Sequence, residues 1–272
     1  MYLGISEKAI SRRINAALFD GDMTDTQKTG IERYFTAYFI LRFKRMRIPI
    51  SYLAYTLATV YHETAFHMQP VEEYGKGAGH DYGIPDPVTK KTYYGRGDVQ
   101  VTWKYNYERL SKLLFDVKTF EQGVDLVYHP ELLLEPLYSA QATIIGMATG
   151  LFTGKSYSDY LDQEAPDYVG ARRIINGTDR AETIAGYAHE FERAIKLGFG
   201  APLDRETVKV GSRGVDVREL QLSLGLNPDG IFGNGTKAKV IKFQEKYDLF
   251  TDGIVGKKTW KKIESVFYWE QQ

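Results

Sequence analysis

The sequence predicts a mainly α-helical protein in two parts, a large helical domain over residues 1–200 and a small helical domain over 205–272. Three observations predict it. Apolar residues recur at helical spacing in one segment after another. The alternation of a strand is short, in Val99-Gln100-Val101-Thr102. Near the C-terminus a motif repeats: Asp229-Gly230-Ile231-Phe232-Gly233 followed by Thr236 returns as Asp252-Gly253-Ile254-Val255-Gly256 followed by Thr259.

Taken in order, the helical reading begins at Ile5 and runs to about Arg47. Within it Thr24 or Asp25 caps a segment whose Ile31, Phe35, Tyr38, Phe39 and Phe43 form a broad apolar face, closed by Arg42, Lys44, Arg45, Arg47 and then Pro49. That basic 42–47 cluster reads as a solvated face, with contact to anionic envelope polymers as the alternative. Ser51 is expected to cap the next helix, whose Leu53, Leu57, Val60 and Tyr61 lead to Glu63, and Pro70 limits its extent. Residues 74–87, rich in Gly and Pro, read as a surface loop. Gly95 and Gly97 permit a sharp turn before the extended piece at 99–102, with Gln100 and Thr102 on one face. Helices are expected over 104–115 and 138–150, with a break at Gly154 and a short element from Ser158 or Asp159. A last helix carries Ile184, Tyr187, Phe191 and Ile195 to Leu197, and Gly198 to Pro202 reads as the domain boundary. In the tail, Val217, Leu220 and Leu224 give one apolar stripe and Val240, Phe243 and Tyr247 another, with each repeated Thr placed to cap a helix.

Composition narrows the function. At 272 residues the chain can bury a sizeable core, and 43% hydrophobic with 26% charged residues is ordinary for a globular protein. Its formal net charge of zero supplies no basic field for nucleic acid. Cysteine is absent, so neither disulfides nor thiolate metal sites are expected. The start, Met1 to Lys8, lacks a basic segment followed by an apolar core, so no secretory signal is expected. No apolar run approaches the ~20 residues of a membrane span, and no stable membrane insertion is expected. A monomer without metal or cofactor is the expectation. The 14% aromatic share serves a plain core as readily as a sugar-binding cleft.

The chemistry centres on Tyr61-His62-Glu63-Thr64, with Glu72 and Glu73 beyond Pro70. Two carboxyls in different environments, one protonated and one ionised, are what glycoside hydrolysis requires. His62-Glu63 also opens like a zinc motif, but the position four residues after His62 is Phe66, which rules that reading out. The glycines at 75, 77 and 79 follow no strand and make no dinucleotide fingerprint.

The tail closely resembles the peptidoglycan-binding domain 1 family, which implies a small three-helix binding domain, over nearly all of residues 207–265, through Val210-Gly211-Ser212-Arg213-Gly214-Val215-Asp216-Val217, Leu220-Gln221, the paired DG turns and Phe243-Gln244. The larger part resembles the glycoside hydrolase 19 superfamily, chitinases and phage lysozymes, across roughly residues 30–200. His62-Glu63-Thr64, Tyr94-Gly95-Arg96-Gly97 with Gln100-Val101-Thr102 and Asn106-Tyr107, and Ile174-Ile175-Asn176-Gly177 carry it. The resemblance implies a lysozyme-like helical domain with a cleft, in which Glu63 is the general acid. The base is Glu72 or Glu73, with Glu73 favoured because it stands second after Pro70-Val71. It implies that Thr102 helps hold the attacking water, that Gln100, Asn106 and Asn176 bind substrate, with His62, Tyr94 and Trp103 beside them, and that Arg180 links to the catalytic carboxylates. Its enzymes invert the anomeric centre, which corresponds to carboxyls roughly 6.5–9.5 Å apart. Together the two resemblances imply an endolysin that hydrolyses β-1,4 bonds of peptidoglycan glycan strands. Chitin hydrolysis and non-catalytic wall binding are the alternatives. Such a lysin would wait in a host cytoplasm for release to the cell wall or periplasm.

Overall fold

The computed structural model describes residues 5–116, 124–201 and 203–269. Met1–Gly4 and Pro202, the far end of the expected linker, lie outside them. The protein is mainly α-helical, with nine α-helices and one two-stranded sheet among the described residues. It divides into two compact units, Thr24–His189 and Met1–Met23 with Glu190–Gln272.

In the Thr24–His189 unit, α2 (Asp25–Phe43), α3 (Ile50–Glu63) and α5 (Pro136–Ala148) pack on one another, and α4 (Lys104–Asp116) packs on α5. Thr24 caps α2 with a full capping box, its hydroxyl accepting from the Gln27 N–H while the Gln27 side chain returns to the Thr24 N–H. Every residue of α3 from Ser51 to Tyr61 is buried, which is why that helix is apolar nearly all round. Its cap is Pro49, which offers no side-chain acceptor. Ser51 does not cap it, because it sits inside the first turn with its hydroxyl turned to the Leu161 carbonyl. Nor does Pro70 end the helix. Thr64 ends it, its hydroxyl donating to the Val60 carbonyl at 2.7 Å and accepting from the Met68 N–H at 2.9 Å, and Ala65, Phe66 and Met68 then take left-handed φ of 47°, 71° and 58°.

β1 (Val71–Glu72) and β2 (Arg96–Gly97) pair antiparallel, Val71 opposite Gly97 and Glu72 opposite Arg96. This hairpin is fastened to the helices by a buried ion pair. Arg33 on α2 donates to the Met68 carbonyl before β1 at 3.0 Å and to Asp98 after β2 at 2.5 Å. Asp98 is enclosed, and it also accepts from Tyr34 on α2 and Ser139 on α5.

The second unit contains α1 (Glu7–Leu18), the later part of α6 (Ala181–Gly198), α7 (Val215–Ser223), α8 (Asn234–Lys246) and α9 (Lys257–Glu264). Val217, Leu220, Phe232, Val240, Phe243, Val255, Trp260 and Ile263 form the core beneath its last three helices. The repeat is structural as well as sequential. The buried Gln221 amide donates to Asp229, to the Ile231 carbonyl and to Thr236, and accepts from the Gly230 N–H. Gln244 repeats each of these bonds with Asp252, Ile254, Thr259 and Gly253. Thr236 and Thr259 therefore bond the glutamines, and the caps of α8 and α9 are Gly233 and Gly256.

The units are cut elsewhere than at residues 198–202, and one carboxylate explains why. Glu219 on α7 is fully buried and accepts from Arg205 twice at 2.8 Å, from Arg13 on α1 at 3.2 Å and from Tyr268 at 2.6 Å. A buried carboxylate needs this much compensation, so the N-terminal helix is drawn onto the tail.

Two outcomes follow from these buried charges. Arg33→Ala strands Asp98 without a counter-charge and is expected to cost the Thr24–His189 unit about 3–5 kcal/mol, read by denaturant unfolding. For Glu219, burial pushes the carboxyl up, but the bonds and charge of Arg205, with Arg13 and Tyr268, more than offset it and leave it below its ordinary value. A depressed folded value contributes stability above the ordinary Glu range, and that stability is lost as pH falls. The thermal midpoint of the second unit should therefore fall with acidification below about pH 4, with a shallower slope in Glu219→Gln.

Candidate active site

The hairpin separates the two neighbouring acids. Side chains alternate along a strand, so Glu72 and Glu73 leave β1 on opposite faces. Glu72 is exposed, accepting from the Tyr94 hydroxyl at 2.5 Å and pairing with Lys76 at 2.9 Å. Those two bonds hold its carboxyl below the usual range. Glu73 is half-buried, and among the described residues its oxygens accept from neutral donors, the Gly95 N–H at 2.8 Å on Oε2 and the Tyr82 hydroxyl at 3.1 Å on Oε1. Its own N–H donates to the Gly95 carbonyl, extending the β1–β2 pairing by one residue. Glycine is required opposite it: a Cβ at Gly95 would lie 2.6 Å from Gln100 Oε1 and 3.3 Å from Glu73 Oε2.

Beside Glu73 the chain does not run extended from 99 to 102. It turns through Asp98–Gln100, with Gln100 at φ 53°, and closes with an Arg96–Val101 bridge. The apolar alternation there is overridden because the Gln100 amide donates back to the carbonyls of Val71 and Gly97. Thr102 donates to the Gln100 carbonyl, and the Asn106 amide, in the first turn of α4, donates to the Thr102 carbonyl. Asn106 Oδ1 is shielded from solvent and has no partner among the described residues. Trp103, at φ 72°, is 42% exposed and meets Tyr82 edge-on. Tyr94 is buried under the Arg96 guanidinium, 3.6 Å from the ring centroid. Glu72, Glu73, Tyr94, Gln100, Thr102, Trp103 and Asn106 are thus gathered around one hairpin.

Glu63 is the last residue of α3, next to the half-buried His62. It forms a 2.5 Å ion pair with Arg172, whose side chain is 3% exposed against 25% for Glu63. Arg172 is fixed in turn by the Asp179 carbonyl, and its own carbonyl accepts from the Asn176 N–H. Asn176 is exposed, its side-chain oxygen accepting from the Gly177 N–H at 2.8 Å. The arginine joined to a candidate catalytic carboxylate is therefore Arg172. Arg180 is exposed, makes no ion pair among the described residues, and lines a shallow recess of about 350 Å³ with Val169, Arg173 and Thr178.

Three contributors escaped the sequence reading: Arg172, Tyr82 and Asp98. Arg172 carried a usable signal, since an arginine between Ala171 and Ile174 enters an apolar stretch and a buried arginine needs an acid. Chemically, the Arg172 bond is made to Glu63 Oε1. Glu73, oriented by neutral donors, keeps lone pairs that can accept a proton.

The tail is similar to a peptidoglycan-binding family. The profile of the putative peptidoglycan binding domain matches residues 213–263, inside the 207–265 span read from sequence. The chain is also 28% identical over 135 residues to inactive chitinase-like protein 1 of Hevea brasiliensis, covering 42% of this chain and 40% of that protein. With chitinase 11 of Oryza sativa subsp. japonica it shares 28% identity over 130 residues, 40% of this chain and 48% of that one. It thus spans less than half the length of either relative. Chitinase C from Streptomyces griseus HUT6037 aligns in structure with a TM-score of 0.47 at 17% identity, over 76% of this chain and 80% of that one.

The two acids differ in what their loss leaves behind. Glu63→Gln leaves the Arg172 guanidinium buried without a counter-charge and should cost about 1–3 kcal/mol in urea unfolding. Glu72→Gln frees an exposed lysine, which water resolvates, and its amide oxygen can still accept from Tyr94, so its unfolding curve should shift far less than that of Glu63→Gln.

Proposed function

We propose that the chain is a cell-wall glycosidase that hydrolyses β-1,4 bonds of peptidoglycan by inversion. The observation that carries this reading is Glu73, a half-buried carboxylate oriented by the Gly95 N–H and the Tyr82 hydroxyl, in a chain that also holds the Arg172-paired Glu63 and a tail matching a peptidoglycan-binding family.

In this reading Glu63 protonates the leaving glycosidic oxygen. Glu73 takes a proton from water on the other face of the sugar, with Thr102 beside that water. Asn106 acts by holding the turn that carries Thr102, its amide donating to the Thr102 carbonyl. Gln100 acts by shape, because its amide nitrogen is committed to the hairpin. The tail raises the local concentration of glycan. The wider role is that of a phage endolysin, held in a host cytoplasm until release to the wall.

Chitin is the second reading, favoured by the chitinase names of the two relatives. Because the Hevea relative is named inactive, catalysis must be judged on this chain's own carboxyls.

Digestion of purified peptidoglycan and of chitin, followed by mass spectrometry, separates the possibilities. Reducing MurNAc ends are expected from peptidoglycan. Anhydro-MurNAc ends would refute hydrolysis, and GlcNAc oligomers from chitin without peptidoglycan products would move the assignment to a chitinase. Glu63→Gln and Glu73→Gln should each lower the rate by about 10²-fold or more. Unchanged lysis in both would leave only wall binding.

A further inference from the structure

The loop between Glu73 and Gly95 delivers one hydroxyl to the site. It is folded tightly on itself, since a Cβ on Gly83 would lie 2.0 Å from the Gly77 carbonyl oxygen. The Tyr82 carbonyl accepts from the Tyr93 N–H at 3.0 Å, and the Tyr93 carbonyl accepts from the Trp103 N–H at 2.8 Å. One backbone residue therefore ties the loop to the turn that carries Thr102. The Tyr82 ring is stacked on His80, with centroids 4.9 Å apart and planes 9° from parallel, and stands edge-on to Trp103 at 5.2 Å and 79°. From that slot its hydroxyl donates to Glu73 Oε1, while Gly95 holds Oε2.

We propose that Tyr82 is a positioning residue for Glu73, fixing the plane of the carboxylate through the oxygen that the backbone does not hold. The inference rests on the reading of Glu73 as the base. One donor on one oxygen leaves the carboxylate free to swing about its last torsion, whereas donors on both oxygens fix its plane before substrate arrives. Tyrosine suits the task because its packed ring has few torsions left to order. Its hydroxyl is also held neutral: partial burial and then the bond to Glu73 raise it above the ordinary phenol value. A neutral donor orients the carboxylate while favouring its charged form less than a cation would, in contrast to Lys76 on Glu72.

The test compares Tyr82→Phe with Tyr82→Ala on soluble oligomers of whichever glycan the wild type cleaves. Phenylalanine keeps the ring contacts and removes only the donor. It should retain the thermal midpoint and KM while lowering kcat about tenfold or more, and Tyr82→Ala should lower both kcat and the midpoint. Added to Glu73→Gln, Tyr82→Phe should cause no further loss, because the two act as one unit. Wild-type kcat in Tyr82→Phe, alongside a strongly impaired Glu73→Gln, overturns the inference and leaves the functional reading standing. A wild type inert on both glycans, or full activity in Glu73→Gln, overturns that reading and the inference with it.

Discussion

The candidate site depends on the buried pair between Arg33 and Asp98. The hairpin is only two residues long on each side, far too short to hold its own register. Arg33 supplies what the strands lack by grasping both arms, the Met68 carbonyl on one and Asp98 on the other, while also donating to the Pro136 carbonyl. A planar guanidinium with several fixed donors can do this, and the single ammonium of lysine would not reach all three. Burying such a pair is not in itself a source of net stability. Here it fixes geometry, setting Glu73 opposite Gly95 and folding the Gln100 turn back on the hairpin.

From that frame the distinction between adjacent acids follows without further machinery. Glu72 and Glu73 are one residue apart and indistinguishable in composition, yet strand alternation sends them into different electrostatic surroundings. One meets Lys76 and is neutralised at the surface; the other meets a backbone N–H and a phenol.

What the sequence made legible was local. The Thr24 cap, α4 and the duplicated turns of the tail depend on residues within a few positions of one another, so propensity and pattern reach them. The partners that organise the site are remote: Arg172 lies 109 residues from Glu63, and Arg33 lies 65 from Asp98. Tyr82 is only nine residues from Glu73, but it sits in a loop without periodicity, where no spacing rule says which side chain turns inward. The run at 99–102 misled for a related reason. Its valines are buried as alternation suggests, but side-chain bonds from Gln100 to two carbonyls outweigh strand propensity and force a left-handed residue.

Among the described residues six carboxylates pair with buried arginines: Glu63, Asp98, Glu190, Asp216, Glu219 and Glu264. Asp98 and Glu219 are wholly enclosed, and each has additional donors besides its arginine partners. They are closed to solvent and to substrate alike, and their role is to hold elements together. Glu63 has the same kind of partner, but its side chain stays 25% exposed and, among the described residues, its bond to Arg172 is made through Oε1. Exposure alone does not set Glu63 apart, because Glu190, Asp216 and Glu264 are 25%, 21% and 21% exposed beside their own buried arginines. What differs is the setting: Glu190, Asp216, Glu219 and Glu264 belong to one network built on Arg13 and Arg205, whereas among the described residues Glu63 pairs with Arg172 at the end of α3.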